Sequence, residues 1–255
     1  MSIVQSVSPH APIGVAAAIQ AASDPAVNPR PKIFDEFTLT DRVAIVSGGN
    51  RGLGLEMALV LCEAGARAVY CFDLPKEPSD SWNATRKFVE RLGQGTRLEY
   101  ISADVRNQKD IWAKVAEIGD KEGRMDVCIA AAGVARSTKA IDCLQEDFKE
   151  VIDINTNGVL YTAQAAGRQM ARFGKPGSII LIASIAGSVS IKVSPCITIE
   201  RIRKPTTRAK SSKGPDIAYC SSKGAVIQMA RSMACELGAQ GIRVNSLSPG
   251  FILTP

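Results

Sequence analysis

The chain has 255 residues, of which 45% are hydrophobic and 5% aromatic, and a net charge of +6 at neutral pH. That length allows one large domain or two small ones, and no stretch approaches the roughly 18 apolar residues of a membrane span. The charge is not spread as a nucleic-acid surface would be: Arg201, Arg203, Lys204, Arg208, Lys210 and Lys213 face only Glu200 between Val193 and Lys213, so one segment holds nearly all the excess. Residues 1–36 have no Lys or Arg before Arg30 and no compact apolar core, which fits neither a secretory signal nor an Arg-rich transit peptide. Their Pro, Ser and Ala content reads as a loosely ordered leader to a domain spanning 37–255. The seven cysteines are odd in number and scattered through mostly apolar runs, as buried thiols are in the reducing cytoplasm. The only histidine, His10, lies in the leader, so a histidine triad or His-containing zinc site is not expected, and no C-x-x-C pair offers another metal site.

The first strong pattern is Val43-Ala-Ile-Val-Ser47 running into a glycine cluster, Gly48, Gly49, Gly52 and Gly54. An apolar β-branched run predicts a buried strand, and Leu53, Met57 and Val60 or Leu61 at helical spacing predict a helix directly after it. Strand, glycine turn and helix form a cradle for a pyrophosphate. Glycines let the backbone approach the ligand, and the helix N-terminus offers unpaired N–H groups. The glycines are spaced G-x-x-x-G-x-G, a weak signal by itself. Ala64-Gly65-Ala66 closes the helix, and Ala68–Phe72 reads as a second strand ending at Asp73.

An acid at that place accepts hydrogen bonds from ribose hydroxyls and repels a 2′-phosphate, which favours NAD. Arg51 beside Gly52 offers a contact for the 2′-phosphate of NADP, and Asp73 as a plain helix cap or turn residue is the simpler alternative. Ser81–Leu92 then reads as a helix, Leu98–Ser102 as a strand and Gln108–Glu122 as a helix. Val127–Gly133 is a fourth strand, Gln145–Ala171 a long helical segment holding Asn155, and Ser178–Ala183 a fifth strand ending at Ser184. Tyr219–Leu237 is a helix with Val226, Met229, Ala230 and Met233 on one side, and Ile242–Leu247 a sixth strand before Pro249-Gly250. Continuous apolar strands alternating with helices predict an α/β, doubly wound parallel sheet covered on both faces.

Tyr219 and Lys223 are four apart on one helix and project from the same face. Open α/β sheets bind ligands at the carboxyl ends of their strands, where Ser184 and Asn155 could join them. A strand-end cap for Ser184 and an ordinary helix amide for Asn155 are the plainer readings.

Taken in order, Ser47-Gly48-x-x-x-Gly52-x-Gly54, Asp104, Asn155, Ser184, Tyr219-x-x-x-Lys223, Asn245 and Pro249-Gly250-x-x-x-Thr254 resemble the short-chain dehydrogenase/reductase family, over about residues 37–255. The likeness is to its basic single-domain branch, and to fungal polyol/ketose reductase-type members. It implies a Rossmann-like fold and hydride exchange between a secondary alcohol and a ketone with NAD or NADP. The expected catalytic set is Ser184, Tyr219, Lys223 and Asn155. A phenol with a pKa of about 10 works near neutrality only beside a cation, here Lys223. Ser184 would hold the substrate oxygen, and Asn155 would support a water path to the lysine. The resemblance assigns the coenzyme to Ser47, Gly48, Asn50, Arg51, Gly52, Leu53, Gly54, Asp73, Asp104, Val105, Ala131, Gly133, Tyr219, Lys223, Pro249, Gly250, Ile252 and Thr254. It also implies a homodimer or homotetramer associated through the helices near Gln145 and Tyr219, with neither nucleic acid nor membrane as partner.

Three departures stand out. Ala130-Ala131-Ala132-Gly133 occupies a place where the family often has Asn-Asn-Ala-Gly. Ser184 and Tyr219 are 35 positions apart, far more than the family's spacing, and removing the basic insert at about 193–213 would leave 14. Connections between strand and helix run about 2–6 residues and rarely exceed about 15. Val-Ser after Lys192 matches a splice-donor sequence read through, so a retained intron is expected, and the stop at Pro255 is expected to be a related truncation relative to the family. The competing reading is a genuine surface loop that packs away from the site and leaves catalysis intact. The chain could then be a catalytically impaired dinucleotide binder, acting as sensor or scaffold or without function. A third reading makes Arg201–Lys213 a nuclear-import or nucleic-acid arm.

Overall fold

Strand β1 (Val43–Ser47) is buried at all five positions because it lies inside the sheet, with a parallel neighbour on each side. A computed structural model describes residues 14–26, 37–136, 140–189 and 217–252. The chain divides into two compact units, residues 1–38 and 39–255. Within the first, the stretch read as a loose leader contains helix α1 (Gly14–Ser23), in which Ser23 Oγ donates to the Ile19 carbonyl. Five alanines in ten residues account for that helix.

The second unit holds β1, α2 (Gly52–Glu63), β2 (Ala68–Asp73), α3 (Asp80–Arg91), β3 (Arg97–Ser102), α4 (Gln108–Glu122) and β4 (Val127–Ala130). It continues with α5 (Gln145–Ile152), a π-helical turn (Asp153–Gly158), α6 (Val159–Phe173), β5 (Gly177–Ile182), α7 (Ile217–Leu237) and β6 (Ile242–Leu247). The six strands form one parallel sheet in the order β3-β2-β1-β4-β5-β6. The chain winds outward from β1 to β3, then returns to place β4 on the other side of β1. The two halves diverge there, Ser47 pairing with Phe72 on one side and Ala130 on the other. A crevice opens where strand order reverses, at the carboxyl ends of β1 and β4.

Alternation along each strand feeds two cores. Val43, Ile45, Tyr70, Cys128 and Ile179 pack with residues of α4, α6 and α7. Ala44, Val46, Val69, Cys71 and Ile129 pack with α2 and α3. Helix α2 is apolar on nearly every side, so its sequence does not declare which face is buried. Leu55, Ala58 and Cys62 are enclosed, whereas Val60 of the expected stripe is 59% exposed. The expected long helix over Gln145–Ala171 is interrupted at Asp153–Gly158 by one wider turn, and Asn155 sits inside it. Expected strand Val127–Gly133 pairs only through Ala130, after which the backbone leaves the sheet to floor the crevice.

At the opposite end of the sheet, acids bind the strand starts. Asp126 accepts the Val43 N–H at 2.9 Å and pairs with Arg124 at 2.7 Å. Glu122 accepts from Arg97 at 2.5 Å and from the Tyr70 hydroxyl at 2.6 Å.

Candidate active site

The glycine turn is set by close backbone approach. Gly48 has φ of 71°, and its N–H donates to the Phe72 carbonyl at 2.8 Å. A Cβ on Gly54 would stand 2.1 Å from the Gly48 carbonyl oxygen, so α2 begins against the turn itself. Arg51 precedes α2 with extended backbone and no side-chain cap, leaving the first-turn amides of α2 to a ligand or to water. These features suit a pyrophosphate. Ser47 lies beneath the turn, its Oγ accepting the Ala132 N–H at 3.4 Å.

Gly48, Asn50, Arg51, Gly52, Leu53 and Gly54 form one wall of a cleft of about 820 Å³. Asp73, Asp104 and Val105 line its β2–β3 end, and Ala131 and Gly133 lie on its floor. Ser184, Tyr219, Lys223, Pro249, Gly250 and Ile252 close the other end. Thr254 lies outside the described residues. Asn50 is locked between two elements: its Oδ1 accepts the Ser79 N–H at 2.8 Å, and its own N–H donates to Asp73 Oδ2 at 3.1 Å. Asp73 Oδ1 accepts the Leu74 N–H at 2.8 Å, so the carboxylate is oriented while keeping lone pairs for a ligand. Arg51 makes no side-chain hydrogen bond or ion pair among the described residues and stays available at the same wall. Asp104 is gripped by Arg106, whose Nη2 and Nε donate at 2.6 and 2.9 Å, and this hydrogen bonding holds its carboxyl below the usual range.

Lys223 is 3% exposed, and its Nζ donates to the Ile182 carbonyl at 2.7 Å, 5.6 Å from the centre of the Tyr219 ring. Burial pushes its pKa down to about 8. Ser184 begins a 3-10 turn, Ile185–Gly187, with its Oγ accepting the Ala186 N–H at 3.2 Å. The plainer reading of Ser184 as a cap is therefore realised, and the hydroxyl hydrogen remains for a second partner. A Cβ on Gly187 would stand 2.5 Å from the Lys223 carbonyl carbon. The turn bearing Ser184 thus lies directly on the backbone of α7, beside Tyr219 and Lys223.

Asn155 does not line the cleft. It is fully buried behind Val134, whose N–H it accepts at 2.8 Å and to whose carbonyl it donates at 2.9 Å. Its second Nδ2 hydrogen goes to Ser222 Oγ at 3.1 Å. The carboxamide is committed to holding the crevice floor and to a neighbouring helix. Sequence reasoning missed Val134, Ile182, Ser222 and Arg106. Only Ser222 carried a signal, lying between Tyr219 and Lys223 on the buried side of their helix.

Residues 42–196 match the short chain dehydrogenase family, and residues 206–255 match the enoyl-(acyl carrier protein) reductase family. With this fold and cleft, the chain belongs to the short-chain dehydrogenase/reductase family of NAD(P)-dependent oxidoreductases. It is 30% identical to oxidoreductase UcpA of Salmonella typhimurium over 85% of this chain and 72% of that one. It is 28% identical to sorbose reductase SOU1 of Candida albicans over 91% of this chain and 76% of that one. The crystal structure of a short chain dehydrogenase from Mycobacterium paratuberculosis bound to NAD superposes with a TM-score of 0.69 at 33% identity, covering 86% and 75% of the two chains.

Proposed function

We propose that this chain interconverts a secondary alcohol and a ketone, with Tyr219 as general acid/base, Lys223 as its cation and Ser184 as donor to the substrate oxygen. The observation that carries the reading is the buried Lys223 ammonium beside the Tyr219 ring, with the Ser184 turn seated on the same stretch of helix. When bound, NAD(P)H supplies a hydride to the carbonyl carbon, and NAD(P)+ accepts one in the reverse direction. In reduction, Tyr219 gives its proton to the oxygen as the hydride arrives at carbon, and the phenolate left behind is stabilised by Lys223. Ser184 holds the oxygen while charge develops on it. Asn155 serves by fixing Val134 and the crevice floor.

In this reading Gly48, Gly52 and Gly54 with the start of α2 hold the pyrophosphate. Asp73 takes the adenosine ribose, which favours NAD, and Asp104 and Val105 flank the adenine. Ala131 and Gly133 support the dinucleotide from below. Pro249, Gly250, Ile252 and Thr254 accompany the nicotinamide end. Similarity to a sorbose reductase supports a polyol–ketose pair as substrate. Buried thiols at Cys62, Cys71 and Cys128 support work in the cytoplasm. A homodimer or homotetramer is the proposed assembly, checked by sedimentation velocity.

Fluorescence titration with NADH and NADPH, followed by assay against sugar alcohols and ketoses, tests the reading. Tyr219→Phe should abolish turnover and keep coenzyme affinity. No change in fluorescence with either coenzyme would defeat the reading at its first step.

A second reading, an impaired dinucleotide binder, is favoured by one observation. The two family matches stop and resume on either side of residues 197–205, inside the basic insert, which lies outside the described residues. Transcript sequencing and assay of a chain lacking residues 193–213 decide between them. Equal activity with and without the insert would remove the impaired reading.

A further inference from the structure

Ser222 is fully buried, with no exposed surface. Its Oγ donates to the Tyr219 carbonyl at 2.7 Å. A serine bonding back to the carbonyl one helical turn earlier is ordinary. The other half of the arrangement is not, because the same oxygen accepts from Asn155 Nδ2 at 3.1 Å. Asn155 reaches onward to both backbone groups of Val134. A continuous chain of hydrogen bonds therefore runs from the crevice floor, through the π-helical turn, to the peptide unit that carries Tyr219.

This chain has particular need of such a tie. Ala131 and Ala132 precede Gly133 and Val134 on the floor and have no side-chain donors or acceptors, so Asn155 anchors that turn by side chain. The π-helical turn displaces Asn155 from regular helical register, and the Ser222 hydroxyl meets it there. We propose that Ser222 is a positioning residue that locks Asn155 to the backbone of Tyr219, keeping the tyrosine and the crevice floor in one fixed relation. The proposal rests on the reading of Tyr219 as the acid/base. Ser222 touches neither substrate nor coenzyme, and it acts through the other two residues.

Losing the hydroxyl leaves an Asn155 N–H without its partner in a closed interior and frees the Tyr219 carbonyl of one constraint. The test compares the full-length chain with Ser222→Ala and Ser222→Thr, measuring kcat, KM, coenzyme affinity and amide exchange. Ser222→Ala should lower kcat about tenfold or more while KM and NADH affinity stay within about twofold. Ser222→Thr restores the hydroxyl and should recover most of kcat. Exchange of the Val134 amide, two hydrogen bonds away from the substitution, should quicken about tenfold in Ser222→Ala while α4 amides keep their protection. An unchanged kcat in Ser222→Ala would overturn the proposal. If the native chain turns over nothing, the functional reading fails separately, and Val134 exchange alone judges the tie. The same exchange measurement decides if the threonine methyl prevents rescue. Unchanged Val134 exchange in the alanine variant overturns it in both cases.

Discussion

The ammonium of Lys223 donates to the carbonyl oxygen of Ile182, the last residue of β5, at 2.7 Å. A cation held by one carbonyl in a closed interior is costly to keep charged, and burial brings its pKa from 10.5 down to about 8. In the proposed mechanism protonated lysine supports Tyr219, so its deprotonation should remove activity. The kcat/KM for carbonyl reduction should fall above about pH 8, approaching tenfold per pH unit. A profile flat to pH 10 would count against Lys223 as the supporting cation.

The same burial has a stability cost. The folded pKa lies below the unfolded one, so the folded chain binds fewer protons between about pH 8 and 10.5. Stability should therefore rise with pH through that window, and the cost of the buried charge is complete below it, at roughly 3 kcal/mol. Lys223→Met should abolish turnover yet raise stability near neutrality by about 1–3 kcal/mol, the lost Ile182 hydrogen bond offsetting part of the gain. The gain should vanish above pH 10.5. Thermal melts at pH 7 and pH 11 check both statements.

Gly54→Ala should be among the most damaging small substitutions, because the added methyl meets the Gly48 carbonyl at 2.1 Å. Either α2 moves off the turn or the turn opens, with an expected loss of at least about 3 kcal/mol and of NADH binding. Gly238→Ala, which has open space, should be nearly neutral. Equal melting temperatures for the two variants would contradict this account.

Removing Asp73 should change coenzyme choice. Asp73→Ala deletes the acceptor proposed for the ribose hydroxyls and leaves Arg51 at the same wall. The ratio of NADH to NADPH affinity should shift toward NADPH by about ten- to a hundredfold, the value of a charge-assisted hydrogen bond. Titration of both coenzymes measures it. An unchanged ratio would place the acid elsewhere.

Acid should weaken the base of the sheet first. Burial alone would raise the carboxyls of Asp126 and Glu122, but Arg124 and Arg97 outweigh it and hold them below their ordinary values. Carboxyls lowered in the folded state contribute stability above about pH 4 and lose it as pH falls through their folded values. Asp126→Asn should be destabilised at pH 7, and its stability should fall less steeply than that of the native chain between about pH 4 and pH 2. Denaturant melts across that range provide the check.

The sheet was legible because β1, β2, β4 and β5 are short apolar runs that end at, or within three residues of, a glycine, acid or serine, and buried parallel strands need such continuous apolar runs. The grouping of Ser184, Tyr219 and Lys223 followed from one rule, that ligands gather at carboxyl strand ends. What escaped was set by contacts between distant segments. The π-helical turn at Asn155 has no helix breaker before Gly158 to announce it. The buried face of α2 could not be read from a helix apolar all round. The second anchor of Lys223 is a backbone carbonyl, which no side-chain motif encodes, and Ser222 gained its role only when Asn155 came to lie beside it.

Cys62 on α2, Cys71 on β2 and Cys128 on β4 are wholly enclosed, and burial pushes each thiol up to about 12. An electrophile needs a thiolate and a path to it, so none of the three should react while its element is closed. Each then becomes a native timer of opening. A short pulse of iodoacetamide, read by mass spectrometry, would date the exposure of the sheet's middle at Cys128 separately from that of its outer half at Cys71, with no label engineered into the chain.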